Sequence, residues 1–332
     1  MDSLYEDVSL ELEKLFGFAQ ERRTNPSLAE RLLLGKKPET TVVQTKSPGE
    51  FVGVDYNQAH LNIMKIPIGD HNSYHIKIYH KDSMPDMCSK IFRGDQLGQI
   101  ESIIRKEKGL ILMAGAPDQG KTTTLYTLLK HLDRPDNRTV SVGRTYAPGN
   151  VVEVPISSAS ESYEQVLDNV ANSHFDTYAF ENVSDERSAH KALGLSVSNL
   201  VIATIPAPNA GSGITYFRSL AKNDELLAEN ITGVVGQALF KNIHEACREE
   251  IEDEGRSSYK GKGCKECNNM GYIGRIPVTE VFSKKDDLAH VVGEHKNIYE
   301  MTDRNMLQDA RGLAEKGEVD CHDVDRLRNE YI

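Results

Sequence analysis

Residues 115–124 read GAPDQGKTTT. Gly115 and Gly120, separated by four residues and followed by Lys121 and Thr122, meet the pattern of a phosphate loop. The glycines let backbone N–H groups turn inward around phosphates, and Lys121 brings a positive charge to the β and γ positions. The Thr122 hydroxyl is a ligand for Mg2+, and a helix starting there adds its partial positive end. Asp118, Gln119 and Thr123 complete the stretch expected to surround a nucleotide such as ATP. A second group of residues carries metal chemistry. Cys264 and Cys267 sit in CKECNNMGY, a C-x-x-C followed by a glycine turn, as in a zinc knuckle. One pair is too few for a structural Zn2+, which takes four N or S ligands. His244 and Cys247, in HEAC, have the same spacing and supply the other two. Glu250 is a weaker alternative ligand, and a surface histidine beside an incomplete cysteine site is the bland alternative.

The loop needs a strand before it and a helix after it. GLILMAG is a short continuous apolar run, as expected for a strand buried on both faces. KTTTLYTLLKHL follows, with Leu125, Leu128, Leu129 and Leu132 at helical spacing. RTVSVG, DTYAFENV and NLVIATIP then read as strands, and SESYEQVLDNVAN and DERSAHKALGLS as helices. This alternation predicts an α/β domain with a parallel sheet and crossover helices. Ahead of it, HLNIMKIPI and SYHIKIYH predict antiparallel strands of a small α+β domain, and GDQLGQIESIIRKEKG a connecting helix. Leu4, Val8, Leu12 and Leu15 predict a helical segment within residues 1–35, and the polar stretch 36–50 reads as a linker or exposed turn. From about residue 240 we expect a cysteine-containing loop region and then helices, the last starting near Asp320 with Val324, Leu327 and Tyr331 on one face. The expected division is 1–45, 46–108, 109–240 and 241–332.

Bulk properties exclude several classes. The net charge of −11 over 332 residues, without a large basic domain, argues against a duplex-DNA binder. No apolar run approaches the roughly 18–20 residues of a membrane span. The acidic opening MDSLYEDVSLELEKLF lacks the order of a signal peptide, so a cytosolic location is expected, or a peripheral one through a partner. Five cysteines, an odd number with three clustered, point to a metal rather than a disulfide framework.

Together, GAPDQGKTTTLY, QALFKNIHEAC, GCKECNNMGYIGR and MLQDARGLAEKGEVDCHDVDRL resemble the assembly ATPases of type II secretion and type IV pili. The resemblance covers about residues 60–332 and includes Asp309, Lys316 and Gly317 of a characteristic C-terminal pattern. It implies a RecA-type motor domain behind an N-terminal domain, working as a hexameric ring on the cytoplasmic face of the inner membrane with a platform protein. Counting from Gln237, it places His244 and Cys247 on the family's first C-x-x-C.

The resemblance also exposes departures. Where the family has an acidic pair after the strand following the phosphate-loop helix, this chain has Gly143 and Arg144. Anchoring the next acidic motif on Asp176 and Asp185 puts Asn182 on the catalytic glutamate. Counting back from NLVIATI puts Glu181 there instead, and both alignments stand. An amide cannot act as a base, and an acid at a strand end is also a common helix cap. Two family histidines become Asn199 and Pro206, and two N-terminal-domain arginines align near Asn62 and near Lys77. Groups that hold phosphate are kept, while groups that act on the γ-phosphate or on water are mostly lost. The expectation is a nucleotide-binding subunit with weak or absent hydrolysis, in a uniform ring or one shared with an active homologue. An active assembly motor is the alternative, and an unrelated phosphate-loop kinase a minor one.

Overall fold

The computed structural model describes residues 40–41, 50–56, 59–68, 71–80, 91–143, 149–155, 163–253, 256–283, 287–300 and 305–331. The helix expected within 1–35, and Arg144, lie outside these. Contacts divide the chain into two compact units. The first is built on β1 (Thr40–Thr41), β2 (Glu50–Tyr56), β3 (Ala59–Ile68) and β4 (His71–His80). They form an antiparallel sheet in the order β1-β2-β3-β4. The alternating stretches expected as strands are β3 and β4, with Asn62 opposite Lys77 in their register. The stretch read as a linker contributes β1, where Thr40 and Thr41 pair with Val54 and Gly53. A two-residue strand is too short to leave an alternation in the sequence.

The second unit opens with α1 (Asp95–Ile104), which buries Ile100, Ile103 and Ile104. Along the chain then come β5 (Gly109–Ala114), α2 (Lys121–Leu132), β6 (Thr139–Gly143), β7 (Val152–Pro155), α3 (Tyr163–Ala171), β8 (Thr177–Phe180), α4 (Glu186–Leu195) and β9 (Leu200–Ile205), of which Gly143 and residues 153–155 and 163–166 are grouped with the first unit. They are followed by α5 (Ala210–Ala221), α6 (Asp224–Asn230), β10 (Ile231–Ile243), β11 (Arg248–Asp253), β12 (Arg256–Gly261), β13 (Tyr272–Ser283), α7 (Leu288–Gly293), α8 (Met306–Glu315) and α9 (Cys321–Arg328). The main sheet runs β13-β10-β5-β9-β8-β6-β7. The pairs β10/β5, β5/β9, β9/β8 and β8/β6 are parallel. Every residue of β5 and β9 is buried, which is why both read as unbroken apolar runs.

The region expected to be a loop after residue 240 is instead largely strand. β11 and β12 form an antiparallel hairpin, and the twelve-residue β13 pairs antiparallel along β10. A division at residue 240 falls inside β10. Pro277 in β13 disguises it as a turn. β13 is the edge of the sheet, a place where strands tolerate proline. On this side, α8 and α9 bury Met306, Ala310, Leu313, Val324 and Leu327 against Ala238, Phe240 and Val278.

One acid of β13 ties this half together. Glu280 is fully buried and accepts four hydrogen bonds. Two come from backbone N–H groups at helix starts, Ala210 at 2.8 Å and Met306 at 3.0 Å. The others come from the hydroxyls of Tyr299 and Tyr331, the latter at 2.8 Å. A buried carboxylate is tolerable only when its lone pairs are used this fully.

Candidate functional site

The residues between β5 and α2 form the loop. Lys121 is the first residue of α2, and Gly120 caps it with φ 79°. A Cβ on Gly115 would lie 2.8 Å from the Gln237 carbonyl oxygen, and one on Gly120 2.9 Å from Gln237 Nε2. Both positions therefore require glycine. Lys121 Nζ donates to the carbonyls of Gly115 and Ala116, the latter at 2.8 Å, so its ammonium lies within the turn of the loop. Thr122 and Gln119 are half-buried, while Asp118 and Thr123 are exposed. Asp118 has φ 60°, a left-handed conformation that aspartate tolerates better than most residues.

Gln237 is a site residue that sequence reasoning used only as a counting mark. It is 2% exposed, in the middle of β10. Its Nε2 donates to Gln119 O at 2.6 Å, and its Oε1 accepts from Thr124 Oγ1 at 2.6 Å. Gln119 answers by accepting from Leu239 N through its own side chain. The loop, the first turn of α2 and β10 are thus joined by one buried amide. The only sequence signal was a glutamine in the middle of the otherwise largely apolar ITGVVGQALF.

On the other side of β5, the structure separates Glu181 from Asn182. Glu181 follows β8 directly, and its Oε1 accepts from the hydroxyl of Tyr126 at 2.6 Å. Tyr126 lies one turn beyond Thr122 on α2, so this carboxylate faces the helix that begins at the loop. Asn182 has φ 56° and is exposed. Its N–H donates to Thr204 Oγ1 at 2.7 Å, and its side-chain amide lies 3.5 Å from Ser184 Oγ. Asp185 caps α4, accepting from Ser188 N at 2.9 Å. Pro206 follows β9 at the loop end of the sheet, because Ile205 registers with Ala114. Asn199 is at the opposite end, where its carbonyl accepts from Gly109 N and its amide donates to Phe175 O at 2.8 Å. Its position cannot bear on a nucleotide at the loop.

His244, Cys247, Cys264 and Cys267 converge, with all ligand atoms within 4.8 Å of one another. His244 Nδ1 is 3.5 Å from Cys247 Sγ and 3.3 Å from Cys264 Sγ. Cys267 Sγ is 3.8 Å from both other sulfurs. Tetrahedral Zn–S bonds of about 2.3 Å put sulfurs about 3.8 Å apart, so the donor set fits Zn2+ in number, type and spacing. The turn after β10 supplies one pair and the turn between β12 and β13 the other. They are aligned by His244 N to Gly271 O and Lys262 N to Cys247 O, both 2.9 Å. Burial pushes the Cys267 thiol up, but the N–H groups of Cys264 and Gly271, at 3.1 and 3.2 Å, together with the thiols of Cys264 and Cys247, outweigh it and bring the thiol down to about 6. Burial raises Cys247. Glu250 lies on β11 opposite Tyr259 and is not part of the cluster.

A mostly parallel α/β sheet whose strand β5 feeds a glycine loop closed on a lysine is the arrangement expected of a phosphate-loop protein. The chain belongs to the type II/IV secretion system protein family, whose model matches residues 52–326. It is 26% identical over 226 residues to the type II secretion system protein HxcR of Pseudomonas aeruginosa, covering 67% of this chain and 47% of that protein. It is 23% identical over 303 residues to the type II secretion system protein E of Xanthomonas campestris, covering 81% of this chain and 52% of that one. The chain thus spans about half the length of these relatives. Among solved structures, the pilus retraction motor PilT with bound ADP shares its fold at TM-score 0.62 and 14% identity, over 93% of this chain and 79% of that one. The Legionella pneumophila ATPase DotB does so at 0.57 and 12%, over 92% and 80%. No helix among the described residues is long and apolar enough to cross a membrane.

Proposed function

We propose that this chain is an ATP-binding component of a type II secretion or type IV pilus-like assembly machine, with weak or no hydrolysis. The observation that carries the reading is the asymmetry of the site. The phosphate-holding side is complete: Gly115, Gly120 and Lys121 form a loop that no larger residue would fit, braced by Gln237. With Asp118, Gln119, Thr122 and Thr123 they would hold the triphosphate, and Thr122 would ligate Mg2+, which neutralises phosphate charge. The reacting side is poor. Gly143 offers no carboxylate, Pro206 no donor, and Asn182 no base.

One observation favours an active motor as the second reading. Glu181 keeps a carboxylate against Tyr126 of α2, where it can take the part of the missing acid. The test is Mg2+-ATP binding beside ATP turnover, with Lys121→Ala as control. Binding without turnover supports the main reading. Turnover that needs both Lys121 and Glu181 replaces it with the motor.

The second part of the proposal is a structural Zn2+ on His244, Cys247, Cys264 and Cys267, cross-linking the turn after β10 to the turn before β13. The assembly would be a hexameric ring, of this chain alone or mixed with an active homologue. It would sit on the cytoplasmic side of the inner membrane through a platform or cytoplasmic-domain partner. The relatives' printed descriptions as secretion and pilus proteins support this context.

A further inference from the structure

Cys321 takes no part in the four-residue cluster around His244. It is the first residue of α9, between Asp320 and His322, and the ligand atoms of these three residues all lie within 4.8 Å of one another. We infer that Asp320, Cys321 and His322 form a second metal site, for a Zn2+ held by three side chains with its fourth position open to solvent. The inference depends neither on the nucleotide reading nor on the first cluster.

Consecutive residues within a helix do not converge, because their side chains point about 100° apart. Here the first of the three is outside the helix. Asp320 caps α9 from extended backbone, and its Oδ1 accepts from His322 N at 3.0 Å. That bond folds the carboxylate back over the first turn. Its Oδ2 is held independently, by the hydroxyl of Tyr272 at 3.0 Å, from 48 residues away. A bond from outside the group thus orients the carboxylate, as the hydrogen bonds behind metal ligands do. Each oxygen uses one lone pair in this way and keeps another for an ion.

The donor types select the metal. Imidazole nitrogen, thiolate and carboxylate are the ligands Zn2+ takes, and the two anions balance its charge. Mg2+ and Ca2+ prefer oxygen and would leave the thiol and the imidazole unused. Donors around a bound Zn2+ stand about 3–4 Å apart. Asp320 and Cys321 are half-buried and His322 is exposed, so its imidazole can close on an ion entering from solvent. Three ligands with one thiolate bind more weakly than four with three thiolates. Desalted protein therefore keeps an ion at the first cluster and takes up the second on titration. The two sites share a support: Gly271, next to Tyr272, donates its N–H to Cys267 Sγ at 3.2 Å. An ion on Asp320 fixes the start of α9 to the turn that the first ion orders.

The experiment titrates the desalted, reduced full chain with Co2+, which adopts zinc geometry and reports thiolate ligation as a near-ultraviolet charge-transfer band. Wild type is compared with Cys321→Ala, His322→Ala and Tyr272→Phe. Wild type should take up about one more Co2+ per chain than either alanine variant, with an added thiolate band that Cys321→Ala lacks. Tyr272→Phe keeps every ligand and the ring, and should weaken this uptake about tenfold or more. Equal uptake by wild type and Cys321→Ala would overturn the inference. So would an extra ion bound without an added thiolate band, which is the exposed histidine acting alone. Uptake by Tyr272→Phe equal to wild type would overturn it as well, since the oriented carboxylate is part of the site. Protein that is metal-free after desalting yet shows the difference between wild type and Cys321→Ala would remove the first zinc and keep the second.

Discussion

At the residue scale, Gln237 and Glu280 do work that their own positions in the sequence do not announce. Gly115, Gly120, Lys121 and Thr122 were legible because their chemistry is local: one loop contains the whole pattern. Gln237 was not, because its partners Gln119 and Thr124 are more than a hundred residues away. Gln237→Leu keeps the bulk and removes both bonds, leaving the carbonyl of Gln119 and the Thr124 hydroxyl unmet. Urea unfolding should report a loss of about 1–3 kcal/mol, and the loosened loop should bind Mg2+-ATP more weakly. Full affinity in this variant would mean that the loop holds its shape without the brace. Glu280 permits a pH prediction. Burial, the larger effect, raises its pKa above the ordinary 4.5, against four donors that pull the other way. A raised folded-state pKa gives a contribution that is complete below the unfolded value and is lost as pH climbs through the folded one. Glu280→Gln cannot titrate, and its amide N–H2 would face a backbone donor. The variant should therefore melt lower than wild type in the ordinary carboxylate range, with the gap narrowing as pH rises above it. A gap that widens with pH would contradict the raised pKa.

At the element scale, the sequence was clearest where burial is uniform and least clear where it is mixed. β5 and β9 are buried on both faces and read as apolar runs, and α2 showed its leucines at helical spacing. β11 and β12 are polar, REEIED and RSSYKG, because they form a separate two-stranded hairpin outside the main sheet. β13 carries Pro277, and its sheet position depends on a partner strand about forty residues earlier. Glu181 and Asn182 could not be told apart by counting, since both fall at the end of β8. The left-handed turn at Asn182, which separates their directions, has no residue-type signature beyond the asparagine itself. The two turns that carry the cysteines are held by backbone hydrogen bonds with little apolar packing around them: in the second, Asn268 and Asn269 are both left-handed, and Met270 is exposed. Their order should depend on the metal. Purified protein should carry about one Zn2+ per chain. Chelation or His244→Ala should speed amide exchange across 264–271 and lower the melting temperature, while β5 and β9 stay protected. Protein that is metal-free as isolated, with the same protection in that turn, would remove zinc from the account.

At the scale of the whole molecule, the proposed function rests on a phosphate loop kept without the groups that would react. Asn62 and Lys77 stand opposite each other in β3 and β4 near the positions where the resemblance places arginines. Gly143 ends β6 without a carboxylate. An arginine finger alone is worth about 10³–10⁵ in rate, so a chain without one should turn over slowly even when saturated with ATP. The same groups can be supplied in trans, as arginine fingers are in other phosphate-loop proteins. A mixed ring would then place this chain's intact loop beside a neighbour's intact residues. The prediction is made on an equimolar mixture with a catalytically complete homologue. The two should elute together in size-exclusion chromatography, at the size of a ring, and bind ATP at this chain's loop. If the neighbour completes the site, Lys121→Ala in this chain should lower turnover of the mixture while the homologue's own loop is unaltered. If this chain only holds nucleotide, Lys121→Ala should leave turnover per active loop unchanged and weaken co-elution in the presence of ATP. Co-elution and turnover both indifferent to Lys121 would mean that the loop serves neither purpose in a mixed ring.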